Sequence, residues 1–203
     1  MVVKESVTDE TGIIKRCLQG DVESYGRLVD RYSARIINVA LMMVGDRHEA
    51  EDIAQDAFIR AFKGLGGFRG KSKFSSWLHQ IALNLCRDHL KKRSRTGGGL
   101  TMEEETLEGS RDGDGEATHD PMIDAELSET MRHEISQLPY LYREAFVLRH
   151  IQGMEYVEVA AIARVPADTV RVRAYRAREM LRARLASAVD TYWREKARKE
   201  SIR

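Results

Sequence analysis

Four arginines, Arg171, Arg173, Arg176 and Arg178, crowd the short stretch RVRAYRAR. Guanidinium groups at that density suit phosphate oxygens and the guanine edge, both of which accept two parallel hydrogen bonds from one arginine. A second group sets Phe68, Arg69, Lys71, Lys73, Phe74 and Trp77 around the glycines of GLGGFRG. Basic side chains that track a backbone, interleaved with rings that stack on bases, suit single-stranded nucleic acid. The alternative for Phe68, Phe74 and Trp77 is that they anchor the next helix in a core. A third group is acidic: Glu49, Glu51, Asp52 and Asp56, with Gln55 on the side of Asp52. These carboxylates repel phosphate and suit either a protein partner or plain solvent.

Other chemistries find no support in the sequence. There is no glycine-rich phosphate loop running into Lys-Ser/Thr, no nucleophile elbow and no HExxH, so neither an enzyme nor a cofactor is expected. His79, Cys86 and His89 lie seven and three residues apart on one predicted helix. One helix rarely completes a zinc site and no second ligand cluster follows, so no metal is expected. Cys17 and Cys86 lack CxxC spacing and read as reduced thiols. No stretch approaches the roughly 18 apolar residues of a membrane span, and MVVKESVTDE lacks the apolar core of a signal peptide. A cytoplasmic protein without membrane insertion is the expectation.

The elements that position these groups follow from periodicity. Proline is scarce and apolar residues recur at helical spacing, which predicts an all-α protein. The net charge of +1 is segregated into −4 over residues 1–59, +9 over 60–95, −10 over 96–139 and +6 over 140–203. Residues 96–120 (TGGGLTMEEETLEGSRDGDGEATHD) hold too little apolar surface to offset their ordering entropy and read as a flexible acidic linker. The predicted organisation is therefore two small helical domains, residues 1–95 and 121–190, joined by that linker and followed by a charged extension at 191–203.

In the first domain a short helix at 11–18 precedes a long amphipathic one at 22–44, which Gly45 ends. Asp46 with Glu49 three residues on predicts the start of a helix to about residue 65. The glycines of 64–73 predict a loop and Trp77, Leu78, Ile81, Ala82 and Leu85 a helix at 75–92. In the second domain Asp120-Pro121 opens a helix with Ile123, Leu127, Met131, Ile135 and Leu138 inward, and Pro139 opens the next. A short helix at 155–163, a turn at 164–168 and a long basic helix, with Asp168 or Thr169 as its cap, form a helix-turn-helix, whose second helix enters the major groove. Val170, Ala174, Ala177, Leu181 and Leu185 make its inward stripe; Arg171, Val172, Tyr175, Arg176 and Arg182 fall outside it.

AEDIAQDAFIRAF (residues 50–62), FRGKSKFSSWLHQIALNLCRDHLKK (68–92) and LPYLYREAFVLRHIQGMEYVEVAAIARVPADTVRVRAYRAREML (138–181) closely resemble bacterial sigma factors of the extracytoplasmic-function group, in that family's order. The resemblance implies that residues 1–95 are sigma region 2 and residues 121–190 the helix-turn-helix of region 4. It implies that Asp52 and Gln55, with Asp56 and Phe58 beside them, dock on the clamp coiled coil of the RNA polymerase β′ subunit, the β subunit being a further contact. Phe68, Arg69, Lys71, Ser72, Lys73 and Phe74, with Trp77 and Asn84, match the part that melts the −10 element and holds a base flipped from the non-template strand. For Asn84 the alternative is a bond within its own helix. Thr169, Arg171, Arg173, Tyr175, Arg176 and Arg178 match the part that reads the −35 element.

Arg164 and Asp168 depart from the glycine or small residue usual there, and Val157, Ala161 and Ala163 from the usual first helix. The linker, with its acidic residues 103–105, is implied to lie along the nascent-RNA path, and an anti-sigma factor is an implied partner. The competing reading is a DNA-binding regulator that does not join polymerase.

Overall fold

The computed structural model of the 203-residue chain describes the backbone of residues 10–70, 72–95 and 125–200 and, within the last stretch, the side chains of 129–186. Its helices are α1 (Glu10–Leu18), α2 (Val22–Val44), α3 (Arg47–Gly64), α4 (Phe74–Arg95), α5 (Ala125–Ser136), α6 (Tyr140–Phe146), α7 (Tyr156–Ala163) and α8 (Ala167–Glu200). A 3-10 turn, Leu65–Gly67, follows α3 and a π-helical turn, Val147–Ile151, follows α6. No strand occurs among the described residues. Lys71, the linker with residues 103–105, and the opening at Asp120-Pro121 with Ile123 lie outside the described residues.

The first half is organised on α2. Tyr25, Leu28, Tyr32, Ile36, Val39, Ala40 and Met43 recur at three- and four-residue steps and are all buried, and α1, α3 and α4 pack around them. Complete burial of Leu28, Ile36 and Met43 stabilises the fold by about 2 kcal/mol each in transfer free energy. Asp21 caps the helix start, accepting from the Ser24 backbone N–H at 3.0 Å and the Ser24 hydroxyl at 2.6 Å. Gly45 ends it in the left-handed region, φ 85°, and donates its N–H to the Leu41 carbonyl at 2.8 Å. Asp46 then caps α3 as expected, accepting from Glu49 N–H at 2.9 Å. Ala50, Ala54, Ala57 and Ala61 line the inner side of α3, and the Tyr25 hydroxyl crosses to the Phe58 carbonyl at 2.7 Å.

In the second half α6 and α7 pack on α8. The buried stripe of α8 is Val170, Ala174, Ala177 and Leu181, as its periodicity predicts, with Leu185 partly buried against the same core. One expectation fails. The helix begins at Ala167, directly after Pro166, because proline's fixed φ favours the residues just before and inside a helix start. Asp168 and Thr169 therefore sit within the first turn and do not cap it; Asp168 Oδ1 accepts instead from Arg171 Nη1 at 3.4 Å. The α7–α8 turn passes through Arg164, which adopts φ 58° and is the only non-glycine residue with positive φ among those described.

The two halves share one core, and α5 packs on α2 while α7 packs on α4. Arg143 of α6 is 1% exposed. Its guanidinium donates twice to the Leu138 carbonyl, from Nε at 3.2 Å and Nη2 at 2.7 Å, and Nη1 donates to the Met43 carbonyl of α2. Met43 lies in the last turn of α2, where carbonyls lack helical partners and the helix dipole favours a cation. Burial lowers the Arg143 pKa to about 10, which leaves it charged at neutral pH. Ser136 also meets α2's end: a Cβ built on Gly45 would lie 3.5 Å from Ser136 Cβ.

The two left-handed residues should respond oppositely to substitution. Gly45→Ala forces a side chain into that region and is expected to destabilise the protein by about 1 kcal/mol, whereas Arg164→Gly relieves it and should stabilise by about 0.5 kcal/mol. Urea midpoints at unchanged m-value measure both.

Candidate nucleic-acid interface

The acidic surface is carried by α3. Asp52, Gln55 and Asp56 are exposed, while Phe58 is 7% exposed and belongs to the core. Gln55, Phe58 and Glu51 also line an open, mainly apolar groove of about 460 Å³ between α2 and α3. Val22, Ile59 and Phe62 line the same groove while exposed at 64%, 44% and 41%. Phe62 meets Tyr25 edge to face with ring centres 4.9 Å apart. Carboxylates beside exposed apolar surface form a patch suited to a protein partner.

The 3-10 turn carries the chain from α3 to the aromatic and basic group. Phe74 is 1% exposed and is the anchor of this group. Phe68 and Trp77 are half-buried, tilted 33° to each other with centres 5.1 Å apart, and Phe68 meets Phe74 edge to face at 5.9 Å. Of the two roles open to these rings, Phe74 takes the core role, while Phe68 and Trp77 keep partly open surfaces. Trp77 also lies against α3: a Cβ on Gly64 would come within 3.4 Å of its ring. Arg69, Ser72, Lys73 and Asn84 are exposed.

Their polar partners come partly from the other half. Lys73 Nζ pairs with Glu158 Oε1 of α7. This bond raises the lysine pKa and lowers that of the glutamate. Asn84 Oδ1 accepts from Arg87 Nη1 at 3.5 Å. Arg87 Nη2 in turn pairs with Glu144 of α6 at 3.2 Å, and the guanidinium lies 5.1 Å from the centre of the Tyr140 ring. Glu144 is 2% exposed; burial raises its pKa, opposed by the charges of Arg87 and Arg173. Tyr140 donates to the Leu83 carbonyl of α4 at 3.1 Å.

On α8, Arg171 and Tyr175 are exposed, whereas Thr169, Arg173, Arg176 and Arg178 are half-buried. Arg171 lies 5.4 Å from the centre of the Tyr156 ring, whose other neighbour is Arg149 at 4.7 Å. Arg176 Nη1 donates to the Tyr142 hydroxyl at 3.4 Å, and Arg178 lies 5.7 Å from the Tyr175 ring centre. The arginines thus lean on aromatic and polar supports that orient them.

The supports Tyr142, Tyr156, Arg87, Glu144 and Glu158 escape a reading of local patterns, because their partners come from other helices. The one local signal was Glu155 followed by Glu158, in which Glu158 Oε2 accepts the Glu155 N–H at 3.2 Å at the start of α7. His79 is buried, with Nδ1 2.7 Å from the Ser75 carbonyl, and burial lowers its pKa. His89 instead faces Glu49 Oε2 at 3.0 Å, and no group of three metal-ligand side chains gathers among the described residues.

Comparison with known proteins matches this geometry to a family. Residues 28–96 match the family described as Sigma-70 region 2, and residues 128–181 match Sigma-70, region 4. The chain is 37% identical over 181 residues to the ECF RNA polymerase sigma factor SigW of Bacillus subtilis, covering 85% of this chain and 94% of that protein. It is 37% identical over 173 residues to the RNA polymerase sigma-H factor of Pseudomonas aeruginosa, covering 83% and 90%. The ECF RNA polymerase sigma-E factor of Escherichia coli K12 is 32% identical over 183 residues, covering 88% and 95%.

Two solved structures share the fold. CnrH in complex with the cytosolic domain of CnrY has a TM-score of 0.64 at 24% identity, covering 86% of this chain and 96% of that one. The sigma factor RpoE in complex with the anti-sigma factor NepR, from Bartonella quintana, has a TM-score of 0.62 at 23% identity, covering 81% and 98%. Two family matches in order and relatives aligned over nearly their whole length lead to one conclusion: the chain is a transcription initiation factor, not an enzyme, and belongs to the extracytoplasmic-function group of the sigma-70 family.

Proposed function

We propose that the protein binds core RNA polymerase through the acidic side of α3, opens the −10 element at the start of α4 and reads the −35 element with α8. The observation that carries this reading is the junction of α3 with α4. The exposed Asp52 and Gln55 lie on the helix whose end rests on Trp77, so a polymerase subunit held on α3 places the Phe68–Trp77 pair at a defined point beside the DNA. On this reading Asp52, Gln55 and Asp56 meet the β′ clamp coiled coil, with the apolar groove and the Phe58 edge beside them, and the β subunit is a further contact. Phe68 and Trp77 receive a base that has left the stack, and Arg69, Lys71, Ser72 and Lys73 follow the non-template strand. Asn84 offers its amide to a base edge.

Thr169, Arg171, Arg173, Tyr175, Arg176 and Arg178 contact duplex DNA, the exposed Arg171 and Tyr175 most directly. The domains run over residues 1–95 and 121–190, and the acidic linker of 96–120 lies along the polymerase. The protein works in the cytoplasm. Control by an anti-sigma factor is supported by the fold shared with RpoE, which was solved with the anti-sigma factor NepR.

Four experiments test this. Transcription with core polymerase from a pool of promoter fragments should yield start sites that share a −35 and a −10 element; a pool with no shared element, or no product, sinks the proposal. Asp52→Ala with Gln55→Ala should abolish co-purification with core enzyme while leaving duplex binding intact. Phe74→Ala should destabilise the fold by about 3 kcal/mol, whereas Phe68→Ala should leave most stability and impair promoter melting, followed by permanganate reactivity of unpaired thymines. Arg171→Ala should lower the salt dependence of −35 duplex binding by about one unit of log–log slope.

A further inference from the structure

Asp52, Asp56, Arg60 and Lys63 follow one another along α3 at steps of four, four and three residues. Such steps return to one side of a helix, so the four form a stripe that reads acid, acid, base, base. All four are exposed, and none has an ion-pair partner among the described residues. Ile59 lies beside the stripe, and with Phe62 and Val22 it lines the groove between α2 and α3. These are three of the seven large apolar side chains that are exposed among the described residues. Their gathering on one groove marks a surface that a macromolecule covers.

We propose that the occupant of this surface is a second copy of the chain, paired α3 against α3 in antiparallel order. About a two-fold axis, residue i of one copy meets residue j of the other, and j meets i. The acid, acid, base, base stripe complements itself only in that reversed order: Asp52 meets Lys63 of the second copy, Asp56 meets its Arg60, and each pair occurs twice. A parallel arrangement would set carboxylate on carboxylate and cation on cation. The ridge of Ile59 and Phe62 from each copy then lies over the apolar groove of the other, which takes both out of water. An interface built on one pair of helices is small, so the dimer is a weak one, with a dissociation constant on the order of 10 μM. Asp52 and Asp56 are used in the pairing, so the dimer covers the side of α3 assigned above to core polymerase. The factor is held apart from polymerase as a pair and engages it as a monomer. That consequence rests on the initiation-factor reading, whereas the pairing itself does not.

Sedimentation velocity on the full chain alone tests the pairing. Between about 1 μM and about 200 μM the average mass should rise from monomer toward dimer, and added salt should reverse the rise. Asp52→Lys with Asp56→Lys makes the stripe wholly basic, and Arg60→Glu with Lys63→Glu makes it wholly acidic. Each of these variants alone should self-associate about ten-fold more weakly than the unmodified chain, while an equal mixture of the two should form a heterodimer as tight as the unmodified dimer. The replaced residues are all exposed, so the helical circular-dichroism spectrum should stay the same in every case. Ile59→Ala leaves the charges alone and should weaken pairing about five-fold.

A chain that stays monomeric over this range, which leaves the groove to a helix of another protein, overturns the pairing. So does a mixture of the two reversed variants that associates no better than either alone. Core polymerase added to the dimer should yield a complex holding one copy of the factor; two copies in that complex overturn the claim that pairing covers the polymerase side of α3. If core enzyme binds neither dimer nor monomer, the initiation reading falls, and sedimentation still decides the pairing.

Discussion

A guanidinium buried among apolar helices must find acceptors for its N–H groups, and Arg143 finds them at two helix boundaries. Leu138, just before the start of α6, supplies one carbonyl, and Met43, at the end of α2, supplies the other. Removing the guanidinium would leave a buried carbonyl at each boundary without this donor, at a cost of about 1–3 kcal/mol for each one left unsatisfied. The same contact thus serves α6, closes the C-terminus of α2 and fixes where the two halves meet. Tyr140, Glu144 and Arg87 then fall into register along α4.

Charge and apolar surface divide the labour of the molecule. On α3 carboxylates border an exposed apolar groove, at the head of α4 bases and rings intermix, and on α8 arginines rest against Tyr142, Tyr156 and Tyr175. An initiation factor has to hold a protein and a polyanion together. On the proposed function, opposite surface potentials on adjacent helices keep a protein partner and a nucleic acid from competing for one site.

Much of this was legible in the sequence, since local rules govern helices. The α2 stripe, the left-handed Gly45, the Asp46 cap and the inward face of α8 follow from spacing and residue type alone. Phe58 and Phe74 show where that legibility stops. Both belong to stretches with functional motifs, yet both turn inward, because an aromatic residue beside a binding face is often the one that holds the face in place. The cap of α8 was misread since Pro166, not the polar Asp168 or Thr169, sets the start of the helix. The seam was out of reach altogether: Arg143 and Met43 are 100 residues apart, and no periodicity links them.

Glu158 serves the seam and its own helix at once. One carboxylate oxygen meets Lys73, and the other receives the Glu155 N–H at the head of α7. Only the first of these bonds depends on the other half, so the short helix would keep its cap if Lys73 were replaced. The fastening and the scaffold share a residue but not an atom, so the contact between the halves and the head of the short helix are held by separate bonds.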